Sequence, residues 1–209
     1  MALIGLDFEV EPADVDETYR SGELPPDHAR RLAAEKAQVV MLRRPDALVI
    51  GSDTVVVIDG EVLGKPRDEA EALEMLMRLQ GREHEVQTGI AVGAPGEPRW
   101  TGRPPTDALA SASRSNAPGG AVRLARVAAD VETVRVRFRA FDEATARAYI
   151  ATGEPMDKAG AYGIQGYGAT IVECIEGDYF AVMGLPIGRM IGLMRQLGWR
   201  YNFRGLEPA

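Results

Sequence analysis

The sequence predicts an α/β domain, and three observations carry that prediction. First, the β-branched run Val55-Val56-Val57-Ile58 is joined by Asp59-Gly60 to Glu61-Val62-Leu63, the pattern of a tight hairpin. Second, apolar residues recur at helical spacing behind start signals such as Pro25-Pro26-Asp27 and Asp68. Third, Val134, Val136 and Phe138 alternate with Arg135, Arg137 and Arg139, as in a strand with one face buried.

Taken in order, Phe8-Glu9-Val10 alternates like a short strand and leads into the acidic, solvated loop Glu11-Pro12-Ala13-Asp14-Val15-Asp16-Glu17. A helix follows from Pro25, with Ala29, Leu32, Ala33, Lys36, Ala37, Val40 and Met41 on one stripe. Lys36 is the anomaly there, since a lysine among alanines ordinarily snorkels to solvent. The hairpin comes next, after a run from Val49 that stops at the small-residue turn carrying Asp53. Asp68 and Glu71 then form a capping box, and Gly81 ends that helix. Val86 to Gly93 returns as a strand.

Residues 94 to about 129 are rich in Pro, Gly, Ala, Ser and Arg without steady period and read as a flexible insertion in a single domain spanning residues 1–209. Beyond the arginine-studded strand, Asp142 caps a helix, and residues 153–168 place five glycines among Asp, Lys, Tyr and Gln. Such a loop lets backbone approach a ligand while polar side chains read it. Strands at Ala169–Ile175 and Tyr179–Met183 and a helix opened by Pro186 complete the reading.

A formal net charge of -7 argues against nonspecific binding to nucleic acid or to an anionic membrane. No stretch reaches the roughly 20 apolar residues of a membrane span, and the start lacks the pattern of a signal peptide. Cys174, the single cysteine, sits in an apolar run and reads as a small hydrophobe in a reducing cytoplasm. His28 and His84 have no ligand-like spacing.

A carboxylate on a buried strand is either paired with a cation or kept for chemistry, which makes Asp53 the candidate centre. Lys65, between Gly64 and Pro66, would return across the hairpin toward it. The alternatives are an Asx-type turn residue and a surface lysine.

These stretches resemble the Maf family of nucleoside triphosphate pyrophosphatases. The resemblance rests on Asp16-Glu17, Leu32-Ala33-Ala34-Glu35-Lys36-Ala37, Ile50-Gly51-Ser52-Asp53-Thr54-Val55 through Leu63-Gly64-Lys65-Pro66, and Asp157-Lys158-Ala159-Gly160-Ala161-Tyr162-Gly163-Ile164-Gln165-Gly166. Gly177-Asp178-Tyr179 and Val182-Met183-Gly184-Leu185-Pro186 match as well. It implies an elongated α/β fold around a twisted mixed sheet flanked by helices, with a central cleft for a nucleoside triphosphate. It also implies hydrolysis between the α and β phosphates with a divalent metal, Mg2+ or Mn2+, and a homodimer.

By the same resemblance Asp53 is the general base, and Glu17 and Asp53 are metal ligands. Lys36, Lys65 and Lys158 hold the substrate, Thr54 and Gln165 select it, and the Tyr-Gly-Ile-Gln-Gly form points to the branch acting on dTTP and UTP. The family opens with a strand and a Ser-x-Arg-Arg loop, and Met1-Ala2-Leu3-Ile4-Gly5-Leu6-Asp7-Phe8 matches the segment after it. The expectation is therefore impaired catalysis in the chain as numbered, or, as the alternative, a noncatalytic nucleotide-binding protein regulating septum formation. The echo Leu109-Ala110-Ser111-Ala112-Ser113-Arg114 reads as chance similarity.

Overall fold

The computed structural model describes residues 1–95 and 126–209. Helix α1 (Pro25–Arg43) starts at its proline pair and is followed by β1 (Val49–Ile58), β2 (Glu61–Leu63), α2 (Glu69–Leu79) and β3 (Glu83–Ala94). Then come β4 (Arg126–Phe138), α3 (Glu143–Ile150), β5 (Val172–Glu176), α4 (Tyr179–Val182) and α5 (Ile187–Gln196). A small ribbon of β6 (Trp199–Tyr201) and β7 (Leu206–Pro208) ends the chain.

The five-stranded sheet runs β2-β1-β3-β4-β5. All four of its pairings are antiparallel, so the α/β class and the flanking helices stand while the expected mixed pairing does not. Asp59 and Gly60, with φ of 54° and 77°, make the expected tight turn between β1 and β2.

Period two along the strands sorts residues between two layers. Val56, Ile58, Val86, Val134, Val136 and Phe138 face α2 and α3, and Ile90 and Val92 face α5. Val49, Val55, Val57 and Ala91 face α1 on the other side. There the helix lies against bare backbone, because a Cβ on Gly51 would fall 2.2 Å from the Ala33 carbonyl oxygen and one on Gly89 2.1 Å from that of Ala29.

Several expectations change. Asp53 does not end a strand, for β1 runs unbroken through Gly51-Ser52-Asp53-Thr54; the small residues there admit α1 and make no turn. Phe8-Glu9-Val10 forms no strand. That segment is exposed and tied instead by ion pairs from Glu9 and Glu11 to Arg44.

The segment starting at Tyr179 is helical, because Asp178 caps it by accepting the Phe180 N–H at 2.8 Å. Residues 169 and 170 belong to a 3-10 helix, Gly166–Thr170. Cys174 is exposed, since its register places it beside the exposed Arg137 on the solvent side of an edge strand. The capping box is off by one: Asp68 accepts the Glu71 N–H at 2.8 Å, but Glu71 accepts the N–H of Arg67 at 2.7 Å. Ala94 and residues 126–129, expected within the flexible insertion, instead pair within β3 and β4, and residues 96–125 of that insertion lie outside the described residues.

Candidate active site

β1 is paired with β3 from Val49 to Val57, but β2 covers its other edge only from Val56 onward. Over the uncovered edge lies a cleft of about 930 Å³, and all seven expected site residues line it: Glu17, Lys36, Asp53, Thr54, Lys65, Lys158 and Gln165. The sheet, α1, the hairpin and the glycine-rich loop each supply part of its wall.

Asp53 points toward α1, where Lys36 Nζ donates to its Oδ1 at 2.7 Å. The same ammonium lies 2.7 Å from Glu17 Oε1, so two carboxylates share one cation. Lys36 therefore does not snorkel away; the close seating of α1 on Gly51 aims it inward. Burial pushes the Asp53 carboxyl above the ordinary carboxylate range, against the pull of Lys36 and with some help from the charge of Glu17. Burial also opposes charge on Lys36, yet its hydrogen bonds to Asp53 and Glu17 outweigh that and hold the ammonium above its usual range. Glu17 is held below its range, mainly by the hydrogen bond from Lys36.

The acidic loop that delivers Glu17 has no helix or strand, and sequence reasoning missed what orders it. Glu23 accepts from Arg31 at 2.6 and 2.8 Å and faces His28 Nδ1 at 3.0 Å. Arg31 reaches on to the Thr18 carbonyl at 3.2 Å, and the Tyr19 ring stacks on His28 with centroids 3.5 Å apart. The available signal was the spacing of Glu23, His28 and Arg31 around the helix start, which sets His28 and Arg31 on one face.

Thr54 faces the opposite layer. Thr88 Oγ1 donates to the Ala181 carbonyl at 2.8 Å, so at the 3.0 Å contact between the two threonines Thr54 is the donor. Its oxygen keeps acceptor capacity toward the cleft. Ser52 Oγ lies 2.8 Å from the Gly89 carbonyl and 2.6 Å from that of Gly184, binding the α4 turn to β1 and β3.

On the far wall the Gly160 N–H donates to the Gly64 carbonyl at 3.0 Å, which docks the glycine-rich loop on the hairpin and sets Lys65 and Lys158 on one side. Lys158 Nζ donates to Asp157 Oδ1 at 2.6 Å and to the Glu154 carbonyl at 3.0 Å. Gln165 is exposed on the rim. Three lysines in a cleft with a partly buried carboxylate suit an anionic ligand whose charge must be held while water is activated beside it.

Comparison with known proteins identifies the family. The family described as Maf-like protein matches residues 1–197. The chain is 40% identical over 198 residues to the dTTP/UTP pyrophosphatase of Syntrophus aciditrophicus, covering 95% of this chain and 83% of that one. It is 41% identical over 196 residues to that of Symbiobacterium thermophilum, covering 94% and 86%, and 43% identical over 194 residues to that of Shewanella oneidensis, covering 91% and 85%. With a match of that extent and relatives at that identity over most of their lengths, the chain belongs to the Maf family.

Proposed function

We propose that this chain hydrolyses dTTP and UTP between the α and β phosphates, releasing the nucleoside monophosphate and pyrophosphate. The observation that carries the proposal is the convergence of Asp53, Glu17 and three lysines on one cleft beside the open edge of β1. The names of the relatives give the substrate pair.

A triphosphate carries about four negative charges, and water attacks it slowly unless that charge is held. Lys36, Lys65 and Lys158 supply positive charge along the cleft. Asp53 receives the proton of the attacking water: burial makes it more basic than a surface carboxylate, and Lys36 fixes its orientation. Thr54 and Gln165 contact the base.

Asp53 and Glu17 meet at one ammonium, so they can also turn to a common cation. No cluster of three or more Asp, Glu, His or Cys stands ready for a metal among the described residues. Two carboxylates suffice for Mg2+ or Mn2+ when phosphate oxygens and water complete the shell. When bound, such a cation polarises phosphoryl oxygens.

Among the described residues no helix is long and apolar enough to cross a membrane. A cytoplasmic location and a homodimer complete the proposal, checked by cell fractionation and by light scattering on the purified chain.

The test is incubation with UTP and dTTP followed by separation of the products. Monophosphate and pyrophosphate are expected. Orthophosphate as first product, or a strong preference for 7-methyl-GTP, overturns the proposal. Binding of UTP without turnover at any divalent metal supports the noncatalytic alternative.

A further inference from the structure

We infer that Tyr149 and Glu154 are specificity-positioning residues, a hydrogen-bonded clasp that fixes the loop carrying Gln165. The inference rests on the reading above in which Gln165 helps select the base.

Residues 162–165 belong to no helix or strand, so the place of Gln165 is decided by whatever holds the chain on either side of it. On the upstream side the Gly163 N–H donates to the Tyr149 hydroxyl oxygen at 3.1 Å. Downstream, the N–H groups of Tyr167 and Gly168 donate to Glu154 Oε2 and Oε1, each at 2.9 Å. The Tyr149 hydroxyl in turn donates to Glu154 Oε1 at 2.8 Å, so one continuous chain of hydrogen bonds closes both flanks.

The clasp is anchored and tight. Tyr149 lies on α3 and is 6% exposed, part of the core that also holds Phe138 and Tyr162. A Cβ at Gly166, next to Gln165, would come within 2.2 Å of Glu154 Oε2, so the carboxylate packs directly against the loop. Burial works against charge on Glu154, yet the Gly168 N–H, the Tyr149 hydroxyl and the Tyr167 N–H together hold it below the ordinary range. Burial likewise pushes the Tyr149 phenol up. The acceptor stays ionised and the donor stays protonated around neutral pH, and the clasp persists there.

Neither side chain needs to touch substrate to matter. A carboxamide selects a base only if its donor and acceptor are held in place, since loss of about one ångström of registration can remove most of an oriented contact. Tyr149→Phe keeps the ring in the core but removes the acceptor for Gly163 and one donor to Glu154.

The experiment measures kcat/KM for UTP against CTP, ATP and GTP in the wild type, Tyr149→Phe, Gln165→Ala and the double variant, with Glu154→Gln as a second break in the clasp. Thermal melts exclude an unfolded variant. Gln165→Ala is expected to lower the preference for UTP about tenfold, near the 1.4 kcal/mol of one good hydrogen bond. Tyr149→Phe should lower it by a comparable factor, raising KM more than it lowers kcat, and should add nothing further in the Gln165→Ala background.

If both single effects appear but multiply in the double variant, or if Tyr149→Phe and Glu154→Gln leave the preference intact, the clasp is overturned and Gln165 keeps its role. If Gln165→Ala itself leaves the preference unchanged, the base-selecting role of Gln165 falls and the clasp falls with it.

Discussion

Replacing Asp53 and replacing Lys36 should have opposite effects on stability although both abolish the same ion pair. Burial raises the Asp53 pKa in spite of Lys36, so in the fold the carboxylate is held less comfortably than in the unfolded chain. A raised folded-state value contributes stability that is present below the unfolded pKa of about 3.9 and is lost as pH rises through the folded one. At pH 7 the Asp53 charge is therefore a net burden, and Asp53→Asn, which keeps the shape, should melt at the wild-type temperature or above.

Lys36→Met removes the cation and leaves the carboxylate behind. The lysine side chain is 21% and the aspartate side chain 12% exposed, so the loss is scaled to the lower range for an uncompensated buried charge, about 2–3 kcal/mol, or roughly 5–10 °C for a chain of this size. The deficit should shrink toward pH 4 as Asp53 protonates. Both variants should lose at least about a hundredfold in kcat/KM, near 2.7 kcal/mol. Calorimetry at pH 5 and pH 8, together with pyrophosphate release from UTP, reads both quantities. An Asp53→Asn protein that melts as low as Lys36→Met would refute the reasoning, because the pair would then be a net stabiliser and burial would not be the dominant influence on Asp53.

Other predictions are more local. With wild-type enzyme, kcat/KM for UTP should fall on the acid side through a pKa above the ordinary carboxylate value, as Asp53 takes up a proton, and a pH profile checks it. Gly51→Ala should destabilise by about 3 kcal/mol and abolish most activity, because the new Cβ meets backbone atoms of Ala33 and Ala37 that cannot move aside. Gly192→Ala, in the middle of α5 with open space around it, should raise stability by up to about 1 kcal/mol in the same melts. His84 is pulled down to about 4 by burial, so the fold loses on the order of 3 kcal/mol as pH falls from 6.5 toward 4; urea titrations of His84→Gln should show a shallower acid loss.

The hairpin and the helices α1, α2, α3 and α5 were legible in the sequence, because each rests on local chemistry, whereas the candidate site residues came mainly from the family resemblance, and the structure brings all seven to one cleft. Turn dipeptides, capping acids and apolar stripes act over a few residues. The misreadings came where distant contacts decide. Nothing in Gly51-Ser52-Asp53-Thr54 distinguishes a turn from a strand pressed against a helix, since small residues serve both; the difference is the position of Ala33 and Ala37. Tyr179-Phe180-Ala181-Val182 has strand propensity, and the Asp178 cap overrides it. The roles of Tyr149 and Glu154 are invisible in one dimension, because their partners Gly163, Tyr167 and Gly168 lie on a loop with no period of its own.

The bare contact between α1 and the sheet has a consequence for how the enzyme ages and adapts. With Gly51 and Gly89 acting as sockets for the helix backbone, α1 has one seating, and that seating sets how Lys36 reaches Asp53 and Glu17. In the mechanism proposed above, the alignment of Lys36 with Asp53 follows the height of α1 above the sheet. A substitution under α1 that lifts it by about one ångström should lower turnover about a hundredfold and lower the melting temperature with it. Turnover and fold are thus locked to the same few atoms, and changes that loosen this layer for the sake of expression or cold activity will be felt first at Asp53.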